Sequence, residues 1–483
     1  IMKFIKIIKI KINRRIIMDS QIRKIHHQLV NKEITCIDLV QEKLDALKQN
    51  TNNTVNSLLD TSALDLAAKV DAKIANGDSI GLLEGIPFGI KDVYMVQGTY
   101  TTASSDLLKN YKSAYTATAI QKLLDAGAIP LVKENCDSFG HGSSSENTIF
   151  GAVKNAVNSD LVAGGSSGGS AVNVAKDYTV FSVGGDTGGS VRQPAGYNNV
   201  YGLKPTYGRI SRFGLMAYAS STDCVGPIAK SIEDIRIVLN VMSGKDEKDQ
   251  TTYASAEIPQ NGILTSEDIK TVGYFKNFIE TDAIDSQIKS DFLAAIEKIK
   301  AKGIQVKALD FFESETLVST YYTLAMAETA SNLSRLDGTN YGNRIEGDNL
   351  KDTYAVTRSE NFSEETKRRI VGGNQLLSQG FSDEIYLKGL KLRDQISENF
   401  ENDFKEVDII ISPVTPNTPP KIGESLKDPL AMYLSDAYTV GFSLGQLPTL
   451  TVPKGTATGL QITAAKNNDE LVLKFANFLK DTI

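Results

Sequence analysis

The chain has 483 residues, 41% of them apolar and 23% charged, and a formal net charge of −6. This is ordinary globular composition, without the basic excess by which a broad nucleic-acid-binding face neutralises phosphates. The three cysteines, Cys36, Cys136 and Cys224, are odd in number and include no CxxC pair, so they point to neither a zinc site nor a disulfide framework, and they fit a reducing compartment.

Residues 1–17, IMKFIKIIKIKINRRII, carry six positive charges and no acidic residue. They are too short and too charged to span a bilayer. They read as upstream sequence or a targeting leader ahead of a natural start at Met18; without them the net charge falls to −12. From Asp19 to about residue 50 the pattern is helical, and Thr35-Cys-Ile-Asp38 resembles a capping box with Asp in place of Glu. Gly85–Val93 reads as a short strand, Thr116–Ala126 as an amphipathic helix stopped by Gly127, and Ile129–Lys133 as a strand. Residues 134–230 are rich in Gly and Ser but broken by apolar runs such as Thr179–Val183. Ser231–Met242 is helical up to Gly244. Strand-like runs at 271–275, 304–309, 407–412 and 449–452 then alternate with helix-like runs at 284–302, 315–335, 382–404 and 468–480. Alternation of this kind predicts an α/β layered fold around one large, mostly buried sheet. With no internal repeat and no linker, residues 18–483 read as one domain.

The catalytic options narrow by elimination. Only His26, His27 and His141 are present, and no HExxH exists. His26 and His27 read as surface residues and His141 as structural. Gly164-Gly-Ser-Ser-Gly168 matches the GxSxG elbow, but hydrolases of that type place their histidine after the serine, and every histidine here precedes Ser166. Ser286-Gln-Ile-Lys289 matches SxxK without the companion motifs and reads as coincidence. Neither GxxxxGK[ST] nor GxGxxG occurs.

A serine nucleophile here therefore needs another base. Lys91 ends the apolar run GIPFGIKDV. A lysine there either snorkels to the surface or stays partly desolvated, and desolvation lowers its pKa so that the neutral amine can accept a proton. Two Gly-rich segments follow, Gly164-Gly-Ser-Ser-Gly-Gly-Ser170 and Gly184-Gly-Asp-Thr-Gly-Gly-Ser190. Glycine pairs let successive N–H groups converge on one point, so Thr187-Gly188-Gly189 can form an oxyanion hole beside Ser190; flexible loops or a phosphate nest are the alternatives.

Three motifs in one order now stand together: GIPFGIKDV; GGSSGGSA, with 24 residues from Ser166 to Ser190; and DTGGSVRQPA followed by GLKPT. The chain thereby resembles the amidase-signature family. The resemblance implies a single large mixed β-sheet covered by helices. It also implies a Ser–cis-Ser–Lys triad: Ser190 attacks an amide carbonyl, Ser166, entered through a cis bond from Gly165, relays the proton, and Lys91 is the base. Further stretches, GSSSENTIFGAVKN, LKPTYGRISRFGL with AYASSTDCVGPIAKSIED, AETASNLSRLDGTNYG and MYLSDAYTVGFSLGQLPTLTVP, resemble the branch formed by A subunits of glutamyl-tRNA(Gln) amidotransferases. That branch implies glutamine hydrolysis through an acyl-enzyme, with ammonia passed to a B subunit that activates Glu-tRNA(Gln) with ATP and Mg²⁺, and with a small C subunit completing the complex. It implies no cofactor or metal in this chain and no membrane, and a cytoplasmic protein, or an organellar one if residues 1–17 are a genuine leader. It also implies Arg369, rather than Arg368, for the substrate carboxylate, Asp436 for its ammonium, and Tyr321 or Tyr322 in the same pocket. The alternatives are a solvated helical face at KRRI, a free-standing amidase of small amides, or a catalytically silent scaffold protein. The chain departs from the family where NAVNSDLVAGG lacks an aromatic and a proline, at Asn198-Asn199, and in the shortened PKGTATGLQITAA.

Overall fold

In a computed structural model, residues 19–260, 264, 269–455, 458–480 and 482 are described. The expected leader and the expected start at Met18 lie outside them. Eleven strands form one sheet: β1 (Val55–Leu58), β2 (Pro87–Lys91), β3 (Ile129–Glu134), β4 (Phe181–Asp186), β5 (Tyr201–Lys204), β6 (Cys224–Ala229), β7 (Thr271–Phe275), β8 (Gln305–Leu309), β9 (Ile409–Pro413), β10 (Thr449–Pro453) and β11 (Gly459–Thr463). They lie in the order β1-β3-β2-β4-β6-β5-β10-β11-β9-β7-β8. The sheet is mixed: β3–β2–β4 and β9–β7–β8 run parallel, while the centre from β4 to β9 is antiparallel throughout.

Helices cover this sheet, and their packing leaves most of its strands without an exposed face. Every residue of β2, β3, β4, β5, β6, β9 and β11 is buried. A strand buried on both faces has no polar face to alternate with. The strands expected at 271–275, 304–309, 407–412 and 449–452 form within two residues of those bounds. The expected helices form at Thr118–Asp125, Ile232–Met242, Ser286–Lys300, Ser314–Asn332 and Asp469–Lys480. The run at 382–404 splits into a π turn, Ser382–Tyr386, and the helix Leu387–Glu406. The shortened PKGTATGLQITAA segment still makes the β10–β11 hairpin, in register from Thr449 opposite Thr463 to Pro453 opposite Gly459.

The capping box at Thr35 forms by half. Thr35 Oγ1 accepts from Asp38 N at 3.0 Å. The next free donors, Cys36 N and Ile37 N, go to the carboxylate of Asp71, on the helix Asp60–Ala75, at 2.7 and 3.0 Å. A tertiary carboxylate therefore satisfies the first two N–H groups of the helix, while the reciprocal half of the box, a side chain reaching back to Thr35 N, is not made by Asp38 among the described residues.

The end of β2 is held by a buried ion pair. Lys133 on β3 donates to Asp92 Oδ1 at 2.7 Å, and both side chains are at most 1% exposed. Lys133 Nζ also donates to Tyr94 O, Tyr100 O and Thr101 Oγ1. Asp92 Oδ2 accepts from Asn56 Nδ2, Thr102 N and Thr102 Oγ1. Each charge is thus compensated, the condition for a buried pair to persist. Asp92→Ala would strand the Lys133 ammonium and is expected to cost about 3–5 kcal/mol of folding stability. Denaturant unfolding measures this, and a loss within experimental scatter of zero would mean the pair carries no structural weight.

Candidate active site

Lys91 is the last residue of β2 and is 2% exposed, so it does not snorkel to the surface. Its Nζ donates to Ser166 Oγ at 2.7 Å and lies 3.5 Å from Gly185 O. Burial lowers its pKa from the ordinary 10.5, against the opposing pull of Cys136, Asp137, Asp186 and Asp223. Ser166 follows a cis peptide bond from Gly165. Gly165 is held by Gln193 Oε1, which accepts from its N–H at 2.8 Å. A Cβ at 165 would stand 2.1 Å from the Asp137 carboxylate, so no larger residue fits there.

β4 delivers the second segment. Beyond Asp186 the chain turns through Thr187-Gly188-Gly189 to Ser190, which is half-buried. Ser167 N donates to Ser190 O at 3.1 Å, which sets the two Gly-rich turns side by side. Among the described residues the Ser190 hydroxyl takes part in no hydrogen bond, so the Lys91–Ser166 link is closed while the step to Ser190 stands open. The N–H groups of Gly188 and Gly189 likewise donate to no acceptor among the described residues. Two adjacent undonated N–H groups beside a serine hydroxyl are what an oxyanion site requires.

This turn is braced from several sides. Asp186 pairs with Arg192, both side chains being fully buried, and also accepts from Val191 N and Arg192 N. Burial pushes the Asp186 carboxyl up, but the charge and hydrogen bonds of Arg192 outweigh it and hold the group below its usual range. Arg192 reaches on to Thr439 O, Gln461 Oε1 and Ser443 Oγ. Thr439 in turn donates from its hydroxyl to Gly188 O. Tyr321 packs so closely on Gly188 that a Cβ there would stand 2.6 Å from its ring.

Arg369, Asp436, Tyr321 and Tyr322 come together behind Gly188. Arg369 is buried, whereas Arg368 is exposed and pairs with Glu365. Arg369 Nε donates to Glu365 Oε1 at 2.7 Å and its Nη1 to Tyr218 Oη at 2.5 Å. Its guanidinium lies over the rings of Tyr218, Tyr322 and Tyr433 at 5.2–5.5 Å. Arg369 therefore leaves the solvated face on which Arg368 stays, and its i,i+4 pair with Glu365 forms. Tyr322 Oη donates to Asp436 Oδ2 at 2.7 Å. Burial raises the Asp436 carboxyl to about 7, with the Tyr322 bond and the Arg369 charge pulling the other way. A cavity of about 20 Å³ lies beside the Lys91–Ser166 pair, its walls including Lys91, Ser166, Thr187, Tyr218 and Asp223. A far larger cavity of 910 Å³, between residues 137–149 and 359–368, contains none of Lys91, Ser166, Ser190 and Arg369.

The remaining sequence candidates fall outside the chemistry. His141 is buried between Thr366 Oγ1 and Thr329 Oγ1, and burial with the nearby Arg369 charge holds its pKa well below the ordinary value. His27 is exposed, but His26 is half-buried with its Nε2 3.3 Å from Ile80 O, a correction to its reading as a surface residue. All three cysteines are free and buried. Among the described residues no His, Cys, Asp and Glu cluster suits a metal ion. Sequence reasoning missed Tyr218, Tyr433 and Glu365 around Arg369, and the Asp186–Arg192 brace. Only the brace left a legible signal, two opposite charges inside the otherwise uncharged run GGDTGGSVRQPA. The Asn198 departure is absorbed as a stitch: its amide donates to Ala163 O and Pro194 O and accepts from Ala156 N.

A family model described as Amidase matches residues 36–473. The chain belongs to the amidase family. It is 42% identical over 470 residues to the A subunit of a glutamyl-tRNA(Gln) amidotransferase from Trichormus variabilis, covering 95% of this chain and 96% of that one. A relative of the same name from a Nostoc species is 42% identical over 471 residues, with 95% and 96% covered. The crystal structure of the A subunit of a glutamyl-tRNA(Gln) amidotransferase from Thermotoga maritima superposes with a TM-score of 0.74 at 32% identity, covering 91% of this chain and 90% of that one. As an amidase-family enzyme, the chain presents one buried amine to one serine hydroxyl. Only a neutral amine can accept that proton. Amide hydrolysis is therefore expected to rise with pH as Lys91 loses its proton, and to level off below the ordinary lysine value of 10.5. Lys91→Arg is expected to abolish the activity at every pH, because guanidinium stays protonated. A Lys91→Arg enzyme within tenfold of wild-type kcat would remove Lys91 from the chemistry.

Proposed function

We propose that the chain is the glutamine-hydrolysing component of a glutamyl-tRNA(Gln) amidotransferase, working by a Ser–cis-Ser–Lys mechanism. Lys91 takes a proton from Ser166, Ser166 takes one from Ser190, and Ser190 Oγ attacks the side-chain amide carbon of glutamine. The N–H groups of Thr187, Gly188 and Gly189 stabilise the oxyanion. The protons return along the same path to the leaving nitrogen, so ammonia departs and a γ-glutamyl ester stays on Ser190. Water, deprotonated by the same relay, cleaves the ester and restores the serine.

The observation that carries the substrate reading is the buried pairing of Arg369 with Asp436 through Tyr322. Free glutamine differs from a simple amide by an α-carboxylate and an α-ammonium. A guanidinium can bond both carboxylate oxygens, and Asp436 offers the ammonium a counter-charge. Likeness over nearly the whole chain to relatives named as A subunits supports the same reading. In this proposal ammonia passes to a B subunit, which holds ATP and Mg²⁺ and engages Glu-tRNA(Gln), and a C subunit completes a heterotrimer. Among the described residues no helix is long and apolar enough to cross a membrane; likeness to the A-subunit relatives supports a cytoplasmic complex in this proposal.

Ser190→Ala is expected to abolish ammonia release from glutamine while the melting temperature stays near wild type; near-wild-type turnover would transfer the nucleophile's role elsewhere. Arg369→Ala and Asp436→Ala are each expected to raise KM for glutamine about a hundredfold, the cost of removing a charged partner from a closed site. Both should keep slow hydrolysis of a small uncharged amide. Because the Asp436 carboxyl titrates at about 7, KM for glutamine should rise as pH falls below that value. Asp436→Asn should flatten this dependence. Unchanged KM values in these variants would favour a free-standing amidase of small amides.

A further inference from the structure

Asp223 belongs to neither the proposed triad nor the proposed substrate contacts, yet it lies between them. It opens the run into β6, one residue before Cys224, and is 3% exposed. It lines the small cavity that Lys91 and Ser166 share. Its two oxygens are divided between two structures. Oδ1 accepts from Thr187 Oγ1 at 2.7 Å and from Ala219 N at 3.2 Å. Oδ2 accepts from Tyr218 N at 2.9 Å. Thr187 begins the oxyanion turn. Tyr218 is the residue whose phenol oxygen accepts from Arg369, and its carbonyl is fixed in turn by Thr329 Oγ1 and Asn332 Nδ2, both at 3.1 Å.

We propose that Asp223 is a positioning residue that sets the oxyanion turn and the Arg369 recess at a fixed distance from each other. This rests on reading Thr187–Gly189 as the oxyanion turn and Arg369 as the carboxylate-binding cation. A carboxylate bonded by a side-chain hydroxyl on one oxygen and a backbone N–H on the other has little freedom to rotate. Any displacement of Tyr218, and with it Arg369, is therefore passed to Thr187. A substrate gripped at its α-carboxylate is thereby presented to Ser190 at one depth. Asp223 touches neither the reacting carbon nor the substrate carboxylate; it acts through Thr187 and Tyr218. Burial pushes its carboxyl up to about 6, with the bonds from Thr187, Ala219 and Tyr218 opposing the shift.

The test is a double-mutant cycle on the full chain, with any partner proteins that co-purify, read on glutamine and on a small uncharged amide. Thr187→Val removes the hydroxyl and keeps the shape. It is expected to lower kcat on both substrates about tenfold, the scale of one missing hydrogen bond to a charged group, with KM for glutamine unchanged. Thr187→Ser keeps the hydroxyl and should restore kcat. Asp223→Ala, which removes both acceptors, should lower kcat to a similar degree and, by loosening Tyr218, raise KM for glutamine about tenfold. The double variant should be no slower than Asp223→Ala alone, because both substitutions break the same link. Multiplicative kcat defects would overturn the proposal. So would lowered melting temperatures with unchanged kinetics, since Asp223 would then be only a turn residue. If glutamine proves not to be a substrate at all, the proposed function fails separately. The uncharged amide then decides the Thr187–Asp223 link by the same additivity criterion.

Discussion

In the mechanism proposed above, the site depends on an amine kept away from water. A lysine in solution is protonated at neutral pH and useless as a base; Lys91 is buried at the end of β2, where desolvation penalises its charged form. Once the amine is buried, the rest of the architecture has defined tasks. β2 and β3 must hold it without a route to solvent, and the Asp92–Lys133 pair locks the chain immediately after it. The serine it serves must be brought inward, which the 165–166 turn does by pressing a glycine against Asp137. Carboxyls placed around it, Asp137, Asp186 and Asp223, pull the other way and favour the protonated form.

The nucleophile turn follows a different logic. Its donors must be free of protein partners yet fixed in space, and those demands conflict in an isolated loop. The structure separates them. Among the described residues Gly188 and Gly189 leave their N–H groups undonated, while the Gly188 carbonyl and the Arg192 guanidinium are bonded to the Thr439–Ser443 segment and β11. Rigidity comes from Asp186 and Arg192 on either side of the turn, so the donors themselves remain available.

How much of this the sequence discloses depends on the kind of contact. Lys91, Ser166 and Ser190 lie in glycine-marked motifs whose spacing survives in the linear chain, and strands such as β7 and β10 show as apolar runs. The short strands β5 and β6 do not: at four and six buried residues inside a Gly- and Ser-rich stretch they lack any alternation to read. The tyrosine cage around Arg369 is drawn from residues 218, 322 and 433. Nothing local marks these three as neighbours, because Tyr322 lies on the helix Ser314–Asn332, Tyr433 on the helix Pro429–Leu434 and Tyr218 in the loop before β6, and only tertiary packing brings them to Arg369 on the helix Glu364–Leu376. For the same reason the sequence does not disclose Asp71, which from another helix takes the N–H groups of Cys36 and Ile37.

The buried cysteines have a use apart from catalysis. Burial pushes the thiols of Cys36, Cys136 and Cys224 up to about 12, 12 and 11, which disfavours the thiolate that alkylating probes attack. Each sits in a different part of the architecture. Cys36 is in the N-terminal helical layer, Cys136 is hydrogen-bonded to Ser104 near Lys91, and Cys224 starts β6. The order in which they become reactive under mild denaturant therefore reads out which layer opens first. The fold carries three native reporters of its own local unfolding, and no label need be engineered onto its surface.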